Sequence, residues 1–162
     1  FIKAPKELSW RRRAPWSCKQ RLYKFDLHSN EFQFIEPFEK SGGGIIAPPV
    51  NIPEHSICVC WDSINGGLAG IDTAEKKLDL SWKIDHIRPT MQPVVFPESK
   101  ELVINSFEDN DDKLVVIDLT NGNILSKVSL KSPLANGMFL TPGLNNDIFY
   151  CSTRTVARVS WT

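Results

Sequence analysis

Hydrophobic positions along this chain recur on a fixed period. Asp26, Asp72 and Asp118 stand 46 residues apart, each directly after an aromatic or branched residue (Phe25, Ile71, Ile117). Six residues beyond each aspartate another apolar residue follows: Phe32, Leu78 and Ile124. Upstream of each aspartate lies an apolar run that starts behind a polar residue: LSW after Glu7, SICVCW after His55 and LVINSF after Glu101. A further copy begins at Asp147 with IFYCST. Three of these runs are preceded by turn-forming clusters, PEH at 53–55, PESKE at 97–101 and PGLNND at 142–147. Proline presets φ, glycine and asparagine tolerate the left-handed region, and acidic side chains cap local amides, so each cluster reads as a hairpin turn.

Within one period the pattern resolves into four short strands. In the third unit they are expected at 92–96, 102–107, 113–118 and 124–130, and in the second at 45–50, 56–61, 68–72 and 78–84. The second strand of each unit is apolar at consecutive positions, as in ICVCW and LVINSF. A half-exposed strand alternates, whereas a strand covered on both faces reads as a continuous run. The fourth strands, FQFIEPF and ILSKVSL, are mixed and belong nearer an outer edge. Units of 40–50 residues with four strands each are the sequence form of β-propeller blades. The expected fold is therefore all-β: about four antiparallel blades spanning 1–38, 39–85, 86–132 and 133–162. The terminal blades are expected to be incomplete, as in a segment of a six- to eight-bladed ring. Their missing strands would come from the remaining blades of a longer chain or from a partner protein.

Composition adds modest constraints. The chain is 41% hydrophobic, enough for a core, and has no apolar run of membrane-spanning length. Net charge is zero but uneven, with eight Lys or Arg among residues 1–25 against one acid, Glu7. A polyanion-binding rim is one reading of that stretch. The plainer one is a polar strand and loop whose counter-charges lie elsewhere, and no nucleic-acid-binding signature accompanies it. Cys58 and Cys60 are two apart on one strand, so they share a face and point in parallel, which disfavours a mutual bridge. Without a CxxC or a histidine pair, the four cysteines read as buried thiols and not as a metal site.

Candidate chemistry is sought on the loops that join second to third strands and each unit to the next, where propellers meet small ligands. There Asp62, Asn65, His86, Arg88 and Asn136 are the polar side chains that could act. Asp and Asn oxygens can hold a hard cation such as Ca²⁺. An imidazole can serve as a general base, and a guanidinium can clamp a carboxylate or phosphate. Against each stands a structural role, because Asp and Asn cap turns and a His or Arg beside Pro89 commonly packs. EDNDDK at 108–113 lacks the glycine and distal Glu of a calcium loop and reads as a solvated acidic turn. SGGG at 41–44 lacks the Lys-Ser/Thr of a phosphate loop.

Residues 43–82, with a Pro-containing first strand, the ICVCW run and AGID leading to Trp82, resemble the repeats of quinoprotein-like (PQQ-like) propellers. KLVVIDLTNGNILSKVSLKSP, 113–133, is similar to these and to YVTN-type repeats. In the quinoprotein pattern a Trp follows eight residues after the Asp behind a Thr-Gly. Here Trp82 is ten after Asp72 without the Thr-Gly, and Glu36 and Val128 stand at that ten-residue offset in the other units, so PQQ is not expected to bind. ANGMFLTPGLNNDIFY, 135–150, is similar to gluconolactonase-type propellers, and of their cation ligands only Asn136 carries across. These resemblances imply a propeller used for binding or scaffolding. The alternatives are a metal-dependent lactonase-like hydrolase and, third, a PQQ-type dehydrogenase.

Overall fold

A computed structural model describes residues 19–42, 48–74, 77–132, 137–144 and 146–161. Among these residues thirteen strands form four antiparallel sheets that follow one another along the chain. The first sheet pairs β1 (Leu22–Phe25) with β2 (Phe32–Ile35). The second runs β3 (Val50–Ile52), β4 (Ile57–Trp61), β5 (Leu68–Asp72) and β6 (Asp79–Ile84), in that order. The third repeats this order with β7 (Val94–Phe96), β8 (Glu101–Glu108), β9 (Asp111–Asp118) and β10 (Ile124–Ser129). The fourth has β11 (Gly137–Pro142), β12 (Asp147–Ser152) and β13 (Val156–Ser160). Every neighbouring pair is joined by a short hairpin, as consecutive antiparallel strands allow.

The expected strands of the third unit lie within two residues of those observed. In the second unit the third strand matches at both ends, and the first begins at Val50, with 45–47 outside the described residues. The continuous apolar runs have the predicted cause. All five residues of β4 are buried, and in β8 and β9 alternate residues enter different cores. Val59, Trp61, Leu68 and Trp82 of the second sheet meet Leu102, Ile104, Val115 and Ile117 of the third. Val103, Leu114 and Val116, on the other face of the third sheet, meet Ile148 and Tyr150 of the fourth. Cys58, Cys60, Ala69 and Ile71, on the other face of the second sheet, pack with Leu22, Ile35 and Phe38. The sheets are thus stacked face to face in chain order. The fourth strand of the third sheet, β10, is exposed throughout, which explains its mixed composition.

Trp82 joins the second sheet to the third. Its indole N–H donates to the Leu119 carbonyl at 2.7 Å. Its ring lies between Gly70, its cross-strand partner on β5, and Gly122 in the β9–β10 turn of the next sheet. A Cβ on either glycine would overlap the indole, and Gly122 also sits at φ +76°. Trp82 makes these contacts from ten residues beyond Asp72. The β-bulge that shifts register between Gly70 and Ile71 brings Trp82 opposite Gly70.

The periodic aspartates are turn residues. Asp26 Oδ1 accepts the amides of His28 and Ser29 at 2.8 and 3.1 Å, and Asp72 Oδ1 accepts that of Ala74 at 2.8 Å. Asp118 Oδ1 accepts the Thr120 amide and hydroxyl at 2.8 and 2.6 Å. Those hydrogen bonds hold the Asp118 carboxyl below the usual range. The PEH and PESK turns also match each other. Ser56 and Lys100 adopt left-handed backbone (φ 53° and 57°) and return their amides to Pro53 and Pro97.

Candidate functional site

The end of the sheets opposite the Asp72 turn carries the loops singled out for chemistry. Trp61 ends β4, and the chain turns through Asp62–Gly67 into β5. Asp62 is fully buried, and its Oδ1 accepts the amides of Ile64 and Asn65, both at 2.9 Å. Its Oδ2 accepts the Asn65 side-chain amide at 3.0 Å, and that amide also donates to the Ser41 carbonyl at 3.3 Å. Gly67 donates its amide to the Ile87 carbonyl at 2.7 Å, so the loop carrying His86 and Arg88 docks on the Asp62 turn. Gly66 at φ +82° lies so close to the Ile87 carbonyl and the Arg88 Cγ that a side chain there would be strained and crowded.

Asp62 and Asn65 line a cleft of about 240 Å³ together with Phe38, Glu39, Lys40, Gly66, Lys83 and Asp85. Lys83 is mostly buried and pairs with exposed Asp85 at 2.9 Å. Ordinary small-molecule pockets are roughly 300–1,000 Å³ and mostly apolar. This cleft is smaller, and its lining sets six polar or charged side chains beside Phe38 and Gly66. His86 and Arg88 are exposed on the adjoining loop and do not line it. Asn136 lies outside the described residues. Of the five candidates, then, two share a cleft, two stand beside it and one is not described.

Three of the cleft's charged side chains are committed to structure. Asp62 closes its own turn, and Lys83 neutralises Asp85. Among the described residues no three His, Cys, Asp or Glu side chains converge as a cation site requires. Nor is any helix among them long and apolar enough to cross a membrane. The described part of the basic N-terminal stretch is also used locally. Arg21 and Lys19 pair with Glu36 at 2.8 and 3.7 Å, and Lys24 Nζ donates to the Thr73 carbonyl at 3.1 Å.

A second polar cluster went unanticipated. Asp112, expected in a solvated turn, is fully buried between the third and fourth sheets. Its Oδ1 accepts from Asn105 Nδ2 at 2.8 Å and its Oδ2 from the Tyr150 hydroxyl at 2.7 Å. Asn105 Oδ1 in turn accepts the amides of Thr90 and Met91 at 3.0 Å. Desolvation pushes the Asp112 carboxyl up, against the hydrogen bonds from Asn105 and Tyr150, with the nearby Asp111 charge adding to the rise. Asp109 and Asn110, at the tip of that turn, are exposed as expected, and its acids are paired. Lys113 bridges Asp109 at 2.8 Å and Glu108 at 3.4 Å, and Lys127 contacts Glu108 as well. The available signal was Asn105, a polar residue inside the apolar run LVINSF, which has to be satisfied if that strand is buried.

No protein-family model matches this sequence, and no curated protein matches it.

Proposed function

We propose that the four sheets are successive blades of a β-propeller, and that the chain works as a binding and scaffolding platform rather than as a catalyst. The observation that carries the blade reading is the stacking order. Consecutive sheets pack face to face in chain order, with the central strands of the middle two buried on both sides. The platform reading draws on the state of the candidate residues. The carboxylate best placed to act, Asp62, is buried and spends its oxygens on its own turn and on Asn65. A platform needs stable loops at the ends of its sheets, and these hydrogen bonds supply that stability.

The test is a lactone-hydrolysis assay run with Ca²⁺ and with chelator, alongside thermal melts under the same conditions. The expected result is hydrolysis at the buffer rate and a melting temperature indifferent to Ca²⁺. Chelator-sensitive hydrolysis, or a melting temperature that climbs with Ca²⁺ concentration as mass action demands of a bound ion, would overturn the reading in favour of a metal-dependent lactonase.

A further inference from the structure

Two thiols face the same way on β4. Cys58 and Cys60 are two residues apart and project from the face that looks toward the first sheet, while Val59 between them enters the core on the other side. They are 6% and 4% exposed. Their cross-strand partners on β5 are Ile71 and Ala69, and Leu22, Ile35 and Phe38 pack with them. Stacking does not call for sulfur at these positions, because the third sheet has Ile104 and Ser106 46 residues further on. A scaffolding platform makes no use of the pair either.

Strand geometry decides what the pair can hold. Residues i and i+2 of a strand lie roughly 6.5–6.8 Å apart. β4 pairs with β3 and β5 without a bulge, so nothing shortens that distance. A disulfide needs its Cβ atoms about 3.8 Å apart, and parallel side chains on an extended strand do not close one. A metal ion between two sulfurs holds them further apart, at roughly twice a metal–thiolate bond of about 2.3 Å. Side chains leaning toward each other from adjacent positions on one face span that gap. The two thiols already act on each other. Cys60 holds the Cys58 thiol below its usual range, and the Cys60 thiol is pushed up by Cys58 and by burial.

The surroundings select the ion. Among the described residues no third His, Cys, Asp or Glu side chain joins the pair. Zn²⁺ takes four ligands and hard cations take six or more oxygens, whereas soft sulfur ligands select Cu(I), for which two suffice. Charge points the same way. One thiolate, one neutral thiol and a monovalent cation sum to zero, while a divalent ion would leave a positive charge in an apolar setting. A CxxC or a histidine pair is the spacing of a four-coordinate ion, so its absence from the sequence does not bear on a two-coordinate one. Phe38 packs with the thiols and also lines the cleft beside Asp62, which puts the sulfurs one side chain behind an opening.

We propose that Cys58 and Cys60 hold one Cu(I) ion between their two sulfurs. Binding involves no redox step: the ion arrives as Cu(I), the Cys58 proton leaves to solvent, and Cys60 keeps its own. The site is independent of the platform reading and stands or falls on separate measurements.

The test titrates Cu(I), kept reduced by ascorbate under argon, into the 162-residue chain carrying Cys18→Ser and Cys151→Ser, in competition with a chromogenic Cu(I) chelator. One equivalent is expected to bind, with a thiolate-to-copper absorption band appearing in the ultraviolet. Adding Cys58→Ala or Cys60→Ala, each checked for folding by circular dichroism, is expected to return that equivalent to the chelator. X-ray absorption at the copper edge, on the loaded chain with both sulfurs intact, is expected to show two sulfur neighbours. That reading decides the matter on its own where a single-thiol variant does not fold. No binding by the chain with both sulfurs, retention of the ion by either folded variant, or a copper shell containing nitrogen, oxygen or a third sulfur overturns the proposal.

Discussion

The Asp112 carboxyl sits where two sheets meet, and its ionisation is coupled to their packing. Its folded-state pKa is raised, chiefly by desolvation. The stability it contributes is therefore full below its unfolded value of about 3.9, and is lost as pH rises through the folded value. Asp112→Asn is expected to flatten that decline in denaturant melts taken across the acid range. The Tyr150 hydroxyl can turn toward Ser132, 3.2 Å away, so the amide remains accommodated. Asp112→Ala leaves the Asn105 amide without its carboxylate acceptor and is expected to cost about 1–3 kcal/mol in the same melts. Asp118 behaves in the opposite sense. Its carboxyl is held down by the Thr120 and Asn121 hydrogen bonds, so its contribution is present above the unfolded value and lost as pH falls through the folded one. Residue chemistry also governs the thiols. The hydrogen bond with Cys58 and then burial push the Cys60 thiol up, and both side chains are packed against the first sheet. Peptide-resolved alkylation of the native chain is expected to label the partly exposed Cys151 well before Cys58 or Cys60.

Among the elements, hairpins repeat most faithfully, and the inter-sheet tryptophan is the most specific contact. Trp82→Ala is expected to destabilise by about 3–5 kcal/mol in chemical denaturation, since it removes a large buried ring from between two glycines. Trp82→Phe keeps most of the ring but leaves the Leu119 carbonyl without its donor, and a smaller loss of about 1–2 kcal/mol is expected. Gly70→Ala and Gly122→Ala crowd the same ring from its two sides, and both are expected to lower the denaturation midpoint although each adds only a methyl group. Strand positions were legible where each side chain had a single consequence. A run such as ICVCW has to be covered on both faces, and PEH and PESK have to turn. The Trp82 contact was not legible from its offset, because the bulge between Gly70 and Ile71 sets which residue stands opposite Gly70.

Among the described residues, three buried clusters join each sheet to the next in the stack, so stability is shared through successive interfaces rather than one central core. Hydrogen exchange is expected to be slowest in β4, β5, β8 and β9, which have sheets on both sides, and faster in β1 and β2, which are short and partly exposed. Protection highest in β1 and β2 would contradict this ordering. Asp62→Ala is expected to cost about 1–2 kcal/mol in melts by opening its turn, the usual scale for losing such capping hydrogen bonds.

The sequence by itself determined the period, the strands and the turns. These follow from local facts: apolar alternation or its absence, the φ preferences of proline and glycine, and aspartates able to cap the amides just beyond them. The tertiary structure decided which polar groups remain available for chemistry. Asp62 was singled out from the chain but is spent on its own turn, and Asp112 was dismissed as solvated but is buried at a sheet interface. Asp62 stands in a turn and Asp112 at the start of β9, each beside polar loop residues. What separates them from solvent is the neighbouring sheet and loop, set by residues such as Tyr150 and Ile87 that are far away along the chain. Desolvation acts through space, so it is absent from a local pattern and enters only when the sheets stack.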